Sequence, residues 1–435
     1  MAIESGDPVK EEHEASREEP RKEKKQRAPV KSRLKTFLKK RWTVFVILII
    51  ILMGIYVRTL DYRWSYLRNI DSYMFLRQFN EIVQNGGVFP LFDPLMKVPE
   101  GEIRLPQLFP YQYLGAYSYM LTGIFLPGLE LWRFLIYFPA VLASLMAIPM
   151  YFIGKALYDR RAGVLAAFFI VFDMAIISRT LGGDPDSDGI VLLIPLIAIA
   201  VFLYAYKYVD RVKKINKGFI LYSVLLGLAL FLWSQSWAGY SYVFWIIGGF
   251  IIIKLLADFM KTRRIKQVWN DSKHVIACMV IAFLIFATPI ILFLEGPVKV
   301  LSGVMGPFQF LDIKGEEGRL YPNVGVSVAE LQGAGGWGDI IKRTSAIQDP
   351  AIVLLISPFF LMVFAMMYLI YSYYKKRQHF DTLLLLLLWF LVPFFATTFA
   401  VRFSILFSAP LAIGSAILLA KIIRLSSGED KAIED

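Results

Sequence analysis

Cysteine and histidine are nearly absent from this 435-residue chain, which has one cysteine, Cys278, and three histidines, His13, His274 and His379. Cys278 sits in an apolar run, so there is no disulfide framework, no Cys-rich metal centre and no thiol catalysis to expect. The histidines lie far apart in basic or interfacial stretches, which speaks against a zinc triad or a Ser-His-Asp apparatus. Charge is scarce too: 19% of residues are charged and 57% hydrophobic, a balance that excludes an ordinary cytosolic enzyme. Any chemistry here falls to carboxylates, arginines, hydroxyls and a hard cation.

What the chain has in abundance is apolar runs near the ~20 residues that a helix needs to cross a ~30 Å hydrocarbon core. The fold class expected is an all-α polytopic membrane protein with about ten transmembrane helices. The first span is Trp42 to Val57, followed by Leu131 to Tyr151, Gly163 to Ile177, Ile190 to Tyr206 and Phe219 to Trp233. Then come Tyr240 to Leu256, Val275 to Leu294, Ala351 to Tyr374, Leu383 to Thr397 and Phe403 to Ala420. Tyr111 to Leu126, aromatic and closed by Pro127 and Gly128, reads as interfacial. The organisation expected is a basic, disordered cytoplasmic tail over 1–41, a membrane domain over 42–422 and a cytoplasmic tail over 423–435.

The net charge of +12 is an orientation signal and not a sign of nucleic acid. Eleven Lys or Arg stand against Glu23 alone between Arg21 and Arg41, which puts the N-terminus in the cytoplasm and the tail against anionic membrane lipids. The linkers Lys155 to Arg161, Lys207 to Lys217, Lys261 to Lys273 and Lys375 to Arg377 then face the same side. By parity the C-terminus is cytoplasmic too. The outer face receives loops at about 58–130 and 295–350, together with Arg179 to Asp188 and Ser234 to Gly239. Long polar loops of this kind usually carry function.

That sorting gathers Asp71, Arg179, Asp184, Asp186, Asp188, Glu330 and Arg402 at the outer ends of helices, where ionisable groups are costly and tend to mark function. Asp186 and Asp188, two residues apart in an extended turn, can aim oxygens at one hard cation; alternatively they cap the helix that starts near Ile190. Asp71 opens an amphipathic segment and, taken by itself, reads as an N-cap. Glu330 taken alone is a solvated loop acid. Arg402 either snorkels to the interface or binds phosphate, as guanidinium commonly does. Acids, a metal and an arginine together describe a pyrophosphate site.

In order along the chain these residues stand in Asn-x-Asp-x-Tyr at 69–73, Ser-Arg-Thr at 178–180 before Asp186-x-Asp188, Trp-Ala-Gly at 237–239, Ser-Val-x-Glu at 327–330 and Val-Arg-Phe at 401–403. The set resembles the catalytic subunit of oligosaccharyltransferase, of the archaeal and bacterial single-subunit type. The resemblance runs from about Trp42 to Ala420. It implies a C-type glycosyltransferase membrane domain and the metal-dependent transfer of an oligosaccharide from a dolichyl or polyprenyl pyrophosphate or phosphate carrier to an acceptor asparagine, on the outer face of a cell membrane. It implies that Asp71, Asp186, Asp188 and Glu330 surround Mg2+ or Mn2+, that Asp71 and Glu330 hold the acceptor amide, and that Arg179 braces the carboxylates. Arg402 would bind the pyrophosphate. Ser327 to Glu330 resembles the mobile loop that closes on the acceptor polypeptide, and Trp237 belongs to the same matched set at the substrate.

One departure stands out. The family's Trp-Trp-Asp-Tyr-Gly motif, which reads the residue two after the acceptor asparagine, has no counterpart here, and Gly336-Trp337-Gly338-Asp339 is no substitute. The expectation is therefore a transferase membrane domain whose sequon reading comes from a separate chain, is relaxed, or is replaced by another acceptor. The alternative is a non-catalytic subunit that binds the lipid-linked glycan or assembles with a larger complex. A transporter is disfavoured because the acids gather at one face and not at a midplane site. Asn270-Asp271-Ser272 matches a glycosylation sequon but falls in a cytoplasmic linker.

Overall fold

The computed structural model describes residues 30–104, 108–294, 296–302, 305–306, 332–344 and 357–428. The reading of a disordered tail therefore falls mostly outside the described residues. The chain forms two units, Met1–Trp42 and Thr43–Asp435. In the first, the described residues are helical from Val30, within the segment expected to be a tail. The second is a helical membrane bundle.

The described elements are α1 (Val30–Thr59), which begins in the first unit, α2 (Ile70–Gln84), a two-residue strand pair Phe92–Asp93 and Glu102–Ile103, α3 (Pro110–Phe125), α4 (Leu131–Leu145) and α5 (Ala147–Leu157). Then follow α6 (Arg160–Val171), α7 (Met174–Arg179), α8 (Asp188–Val212), α9 (Lys217–Ser236), α10 (Ser241–Thr262) and α11 (Ile265–Phe293). After the gap come α12 (Trp337–Arg343), α13 (Pro358–Lys376), α14 (Phe380–Phe399), a 3₁₀ turn at Val401–Phe403 and α15 (Ser404–Ser426).

Among the described residues eight helical stretches are long and apolar enough to cross a membrane. They correspond to eight of the ten expected spans. The other two are also helical, with a difference. The segment expected at Gly163 to Ile177 is broken into α6 and α7 because Asp173 turns its carboxylate onto the Ile176 N–H and caps a new helix. The segment expected from Ala351 is described only from Ser357, whose hydroxyl caps α13. One span joins α4 and α5 across Met146, where the ladder tightens because Pro149 has no N–H to give the Leu145 carbonyl.

Burial sorts the helices. In α8 and in the stretch Val401–Ser426, 72% and 78% of the span residues are buried, so these form the centre; α10, with 22%, shows most of its apolar surface outward, as a lipid-facing helix must. Small residues allow close approach. At α5 against α6, a Cβ on Gly154 would lie 2.8 Å from the Ala162 carbonyl oxygen, and one on Gly163 would lie 2.6 Å from that of Tyr151.

The expected interfacial segment is α3, and it packs on α2 through an aromatic cluster. Phe75, Phe79, Tyr111 and Phe138 meet with ring centroids 5.2 to 6.4 Å apart. Beyond α2 a charge cluster closes the loop. Arg77 and Arg104 both reach Asp93, at 2.7 and 2.6 Å, and both reach Glu81. The Arg77 hydrogen bonds pull the Asp93 carboxyl down to about 2, although its 1% exposure opposes ionisation.

Candidate active site

The turn between α7 and α8 is built before any substrate arrives. The Gly182 N–H donates to the Arg58 carbonyl at 2.8 Å and the Gly183 N–H to the Ile136 carbonyl at 3.1 Å. Arg68 closes the other side, with its backbone N–H on the Gly183 carbonyl and its guanidinium on that of Gly182. Gly183 has φ +78°, and a Cβ there would strike the Tyr62 ring. The acids thus leave from a fixed backbone.

Beneath the turn, Arg58 is 1% exposed near the end of a transmembrane helix. Its guanidinium donates to the Thr180 hydroxyl at 2.9 Å, the Val171 carbonyl at 2.8 Å and the Gly54 carbonyl at 3.1 Å. These bonds tie α1 to the last turn of α6 and to the end of α7. Asp173, at the break between those helices, accepts from the Ser408 hydroxyl at 2.8 Å and so links α15 to the same knot. Neither Arg58 nor Asp173 was singled out from sequence. An arginine at the end of a span and an acid inside an apolar run were the available signals.

Four acids follow. Asp71 is exposed in the first turn of α2, and Asn69 occupies the cap position, so the capping reading of Asp71 does not hold. Asp184 accepts from the Ser72 hydroxyl at 3.0 Å. Its carboxyl is pushed above the usual range by burial, with the neighbouring Asp186 and Asp71 adding to the effect. Asp186 accepts from the Ser187 N–H at 2.5 Å. Asp188 is the first residue of α8, buried, with a carboxylate oxygen 3.8 Å from Arg179. Ser187, at the cap position of α8, makes no side-chain cap, and Asp188 stands in the first turn, where the helix dipole favours an acid.

Tyr111 reports on this crowd. Its hydroxyl donates to the Pro185 carbonyl at 2.7 Å. Burial, together with the charges of Asp186, Asp184 and Asp188, raises its pKa well above the ordinary phenol value.

Arg179, Asp188, Trp237, Arg402 and Phe403 line one small cleft, so four residues expected at the site from sequence are brought together from four separate segments. Trp237 packs against Trp233 and Phe403, with centroids 5.7 and 6.2 Å away. Glu330 and Ser327 lie outside the described residues. The chain is described again from Gln332, whose carbonyl accepts from the Val401 N–H at 2.8 Å, beside Arg402. Trp337 then packs against Phe394, the ring centroids 4.6 Å apart and the planes tilted by 41°.

As a metal cage the described residues are incomplete: among them no group of three or more His, Cys, Asp or Glu side chains is placed to hold an ion. The donors are all carboxylate oxygens, which suits a hard cation, but the expected set of four includes Glu330.

Comparison with known proteins bears directly on this arrangement. The sequence family described as oligosaccharyl transferase STT3, N-terminal, matches residues 36–429. A dolichyl-phosphooligosaccharide-protein glycotransferase of Methanococcus voltae is 23% identical over 389 residues, covering 82% of this chain and 41% of that protein. The dolichyl-monophosphooligosaccharide-protein glycotransferase AglB of Haloferax volcanii is 26% identical over 206 residues, 44% of this chain and 20% of its own. Among solved structures, the apo oligosaccharyltransferase of Archaeoglobus fulgidus superposes with a TM-score of 0.67 at 21% identity, over 92% of this chain and 53% of that one. AglB from the same organism, in complex with an inhibitory peptide and a dolichol-phosphate, gives 0.65 at 20% identity, over 91% and 52%. The chain thus spans less than half the length of these curated relatives and about half of the solved chains.

Proposed function

Because the chain belongs to the oligosaccharyl transferase STT3 family, we propose that it carries the membrane half of a transferase that moves an oligosaccharide from a dolichyl or polyprenyl phosphate or pyrophosphate to an asparagine side chain of a polypeptide. The observation that carries this reading is the cleft in which Arg402, Arg179, Asp188 and Trp237 meet at one end of the bundle.

The chemistry follows from the residues. The acceptor amide nitrogen attacks the anomeric carbon, the carbon–oxygen bond to phosphate breaks, and the phosphate leaves with the bonding pair. Amide nitrogen is a poor nucleophile because its lone pair is delocalised. Asp71 and Glu330, accepting from its two N–H groups, would weaken that conjugation, hold the nitrogen in line and take the proton it loses. Arg402 pairs with the departing phosphate oxygens, and Arg179 holds Asp188 in place. The reading places Asp71, Asp186, Asp188 and Glu330 around Mg2+ or Mn2+; when bound, such a cation would add positive charge against the leaving phosphate. It is supported by the all-oxygen donor set and by Glu330 standing two residues before Gln332. With the positive-inside pattern, both termini are cytoplasmic and this end of the bundle is outside.

The test is transfer of glycan from a lipid-linked donor to an asparagine peptide in membranes, comparing wild type with Asp71→Ala and Glu330→Ala, with a sequon-reading domain of a relative added in trans. Loss in both variants supports the assignment. Equal transfer in all three overturns the carboxylate roles, and tight donor binding without turnover by any of them supports the binding-subunit alternative.

A further inference from the structure

A second, larger cavity of about 830 Å3 lies between α5, α8, α10, α13 and α14. That is within the ~300 to 1,000 Å3 of ordinary ligand sites. Its lining residue Lys207 is nineteen positions along α8 from Asp188, roughly 28 Å of helix rise. The cavity is therefore about one hydrocarbon thickness from the candidate active site, at the other end of the same helices.

Four cations line it, Lys207, Lys254, Lys261 and Arg377, against a single carboxylate, Asp381. That carboxylate is already engaged: Lys254 is 3.2 Å from it and the Tyr206 hydroxyl donates to it at 3.1 Å. Lys254 also pairs with Asp258 at 3.5 Å. The other three cations have no carboxylate at salt-bridge distance among the described residues. Lys207 donates to the Ala156 carbonyl, Lys261 lies over the Phe380 ring at 5.3 Å, and Arg377 lies over Tyr373 at 5.4 Å. Among the lining side chains the cations outnumber the carboxylate, and the acids Asp210 and Asp258 lie close to Lys254. Burial, with Arg424, Lys207 and Lys421, pushes the nearby His379 imidazole below its usual range. Below the cations the wall is apolar, with Leu157, Leu203 and Phe250.

Ammonium and guanidinium groups in excess over the lining carboxylate, three of them without a salt bridge among the described residues and set above an apolar wall at headgroup depth, match one ligand chemistry. We propose that this cavity binds the phosphoryl headgroup of an anionic lipid in the leaflet opposite the Asp188 site, with Lys207, Lys261 and Arg377 on the phosphoryl oxygens and the chain of the lipid along Phe250. The assignment does not depend on transfer activity.

The experiment uses the full chain in nanodiscs of phosphatidylcholine doped with phosphatidic acid, with retained lipid measured by native mass spectrometry. Wild type is expected to enrich phosphatidic acid. The triple variant Lys207→Gln, Lys261→Gln, Arg377→Gln is expected to bind it roughly 10- to 100-fold more weakly. The charge-keeping variant Lys207→Arg, Lys261→Arg, Arg377→Lys should retain it, as should Lys214→Gln, Lys217→Gln, Lys266→Gln, which removes equal charge outside the cavity. Unchanged binding in the first triple, or an equal loss in the last, overturns the site. Inorganic phosphate bound as tightly as phosphatidic acid overturns the lipid as its source. Should the triple variant not elute as a monodisperse protein, Lys261→Gln alone, at an exposed position, carries the test with a loss of roughly fivefold.

Discussion

The two ends of this bundle hold charge in opposite ways. At the end with Asp188, three carboxylates are crowded into a turn pinned by backbone hydrogen bonds, with Asp71 nearby in α2; Arg58 and Arg68 brace the backbone of the turn, and Arg179 reaches Asp188. At the end with Lys207, cations line an open cavity and hold mainly to aromatic rings and carbonyls. Rigid preorganisation suits a site that must stabilise charge as it develops, because donors fixed beforehand need not reorganise during reaction. An open, weakly paired cluster suits binding of a group that arrives already charged.

The contrast can be broken at several points. The largest expected effect is at the acid end, where stripping divalent cations with a chelator should abolish transfer and Mg2+ or Mn2+ should restore it; transfer that survives the chelator removes the metal from the proposal. Next, Arg402→Ala should lower turnover roughly 100- to 1,000-fold, measured with saturating donor. A change in donor affinity alone would make Arg402 a binding residue. Below the acid turn, Arg58→Ala deletes three buried hydrogen bonds and should cost about 3 kcal/mol of stability, read from thermal unfolding in detergent. A shift within error would show that the turn stands without its brace.

Two smaller effects have opposite signs. Asp93 titrates near 2 in the folded chain, below its unfolded value, so its ion pairs stabilise above about pH 4 and lose that contribution as pH falls through 2. Asp93→Asn should cost about 2 kcal/mol at neutral pH, with the gap to wild type closing in acid. Asp184 is shifted the other way: its folded form favours the proton, so ionisation opposes folding as pH rises. Asp184→Asn should therefore leave stability at pH 7 unchanged or slightly raised, read from thermal unfolding. A clear loss would mean that its charge is satisfied within the fold.

Some of this was legible in the residues alone. Apolar runs of about twenty residues fix helices because a backbone in lipid must satisfy its own hydrogen bonds, and the segments around Trp42, Ile190, Phe219 and Phe403 are helical as expected. The ordered motifs pointed to Arg179, Asp188, Trp237 and Arg402, which do share a cleft. The break inside the third expected span was less visible, because the apolar run around Asp173 hides a capping acid whose second partner, Ser408, is 235 positions away.

What the sequence determined by itself is therefore membrane insertion, most of the spanning helices and the identity of the charged residues at their ends, since each depends on composition within a short window. Tertiary structure alone decided which charges meet. Arg58 reaches Thr180 across 122 positions, and Ser72 reaches Asp184 across 112. It also decided that Lys207, Lys261 and Arg377 surround one cavity. Hydrogen bonds and ion pairs act over a few ångströms in space whatever the separation along the chain, so only the packing of helices can say which of them form.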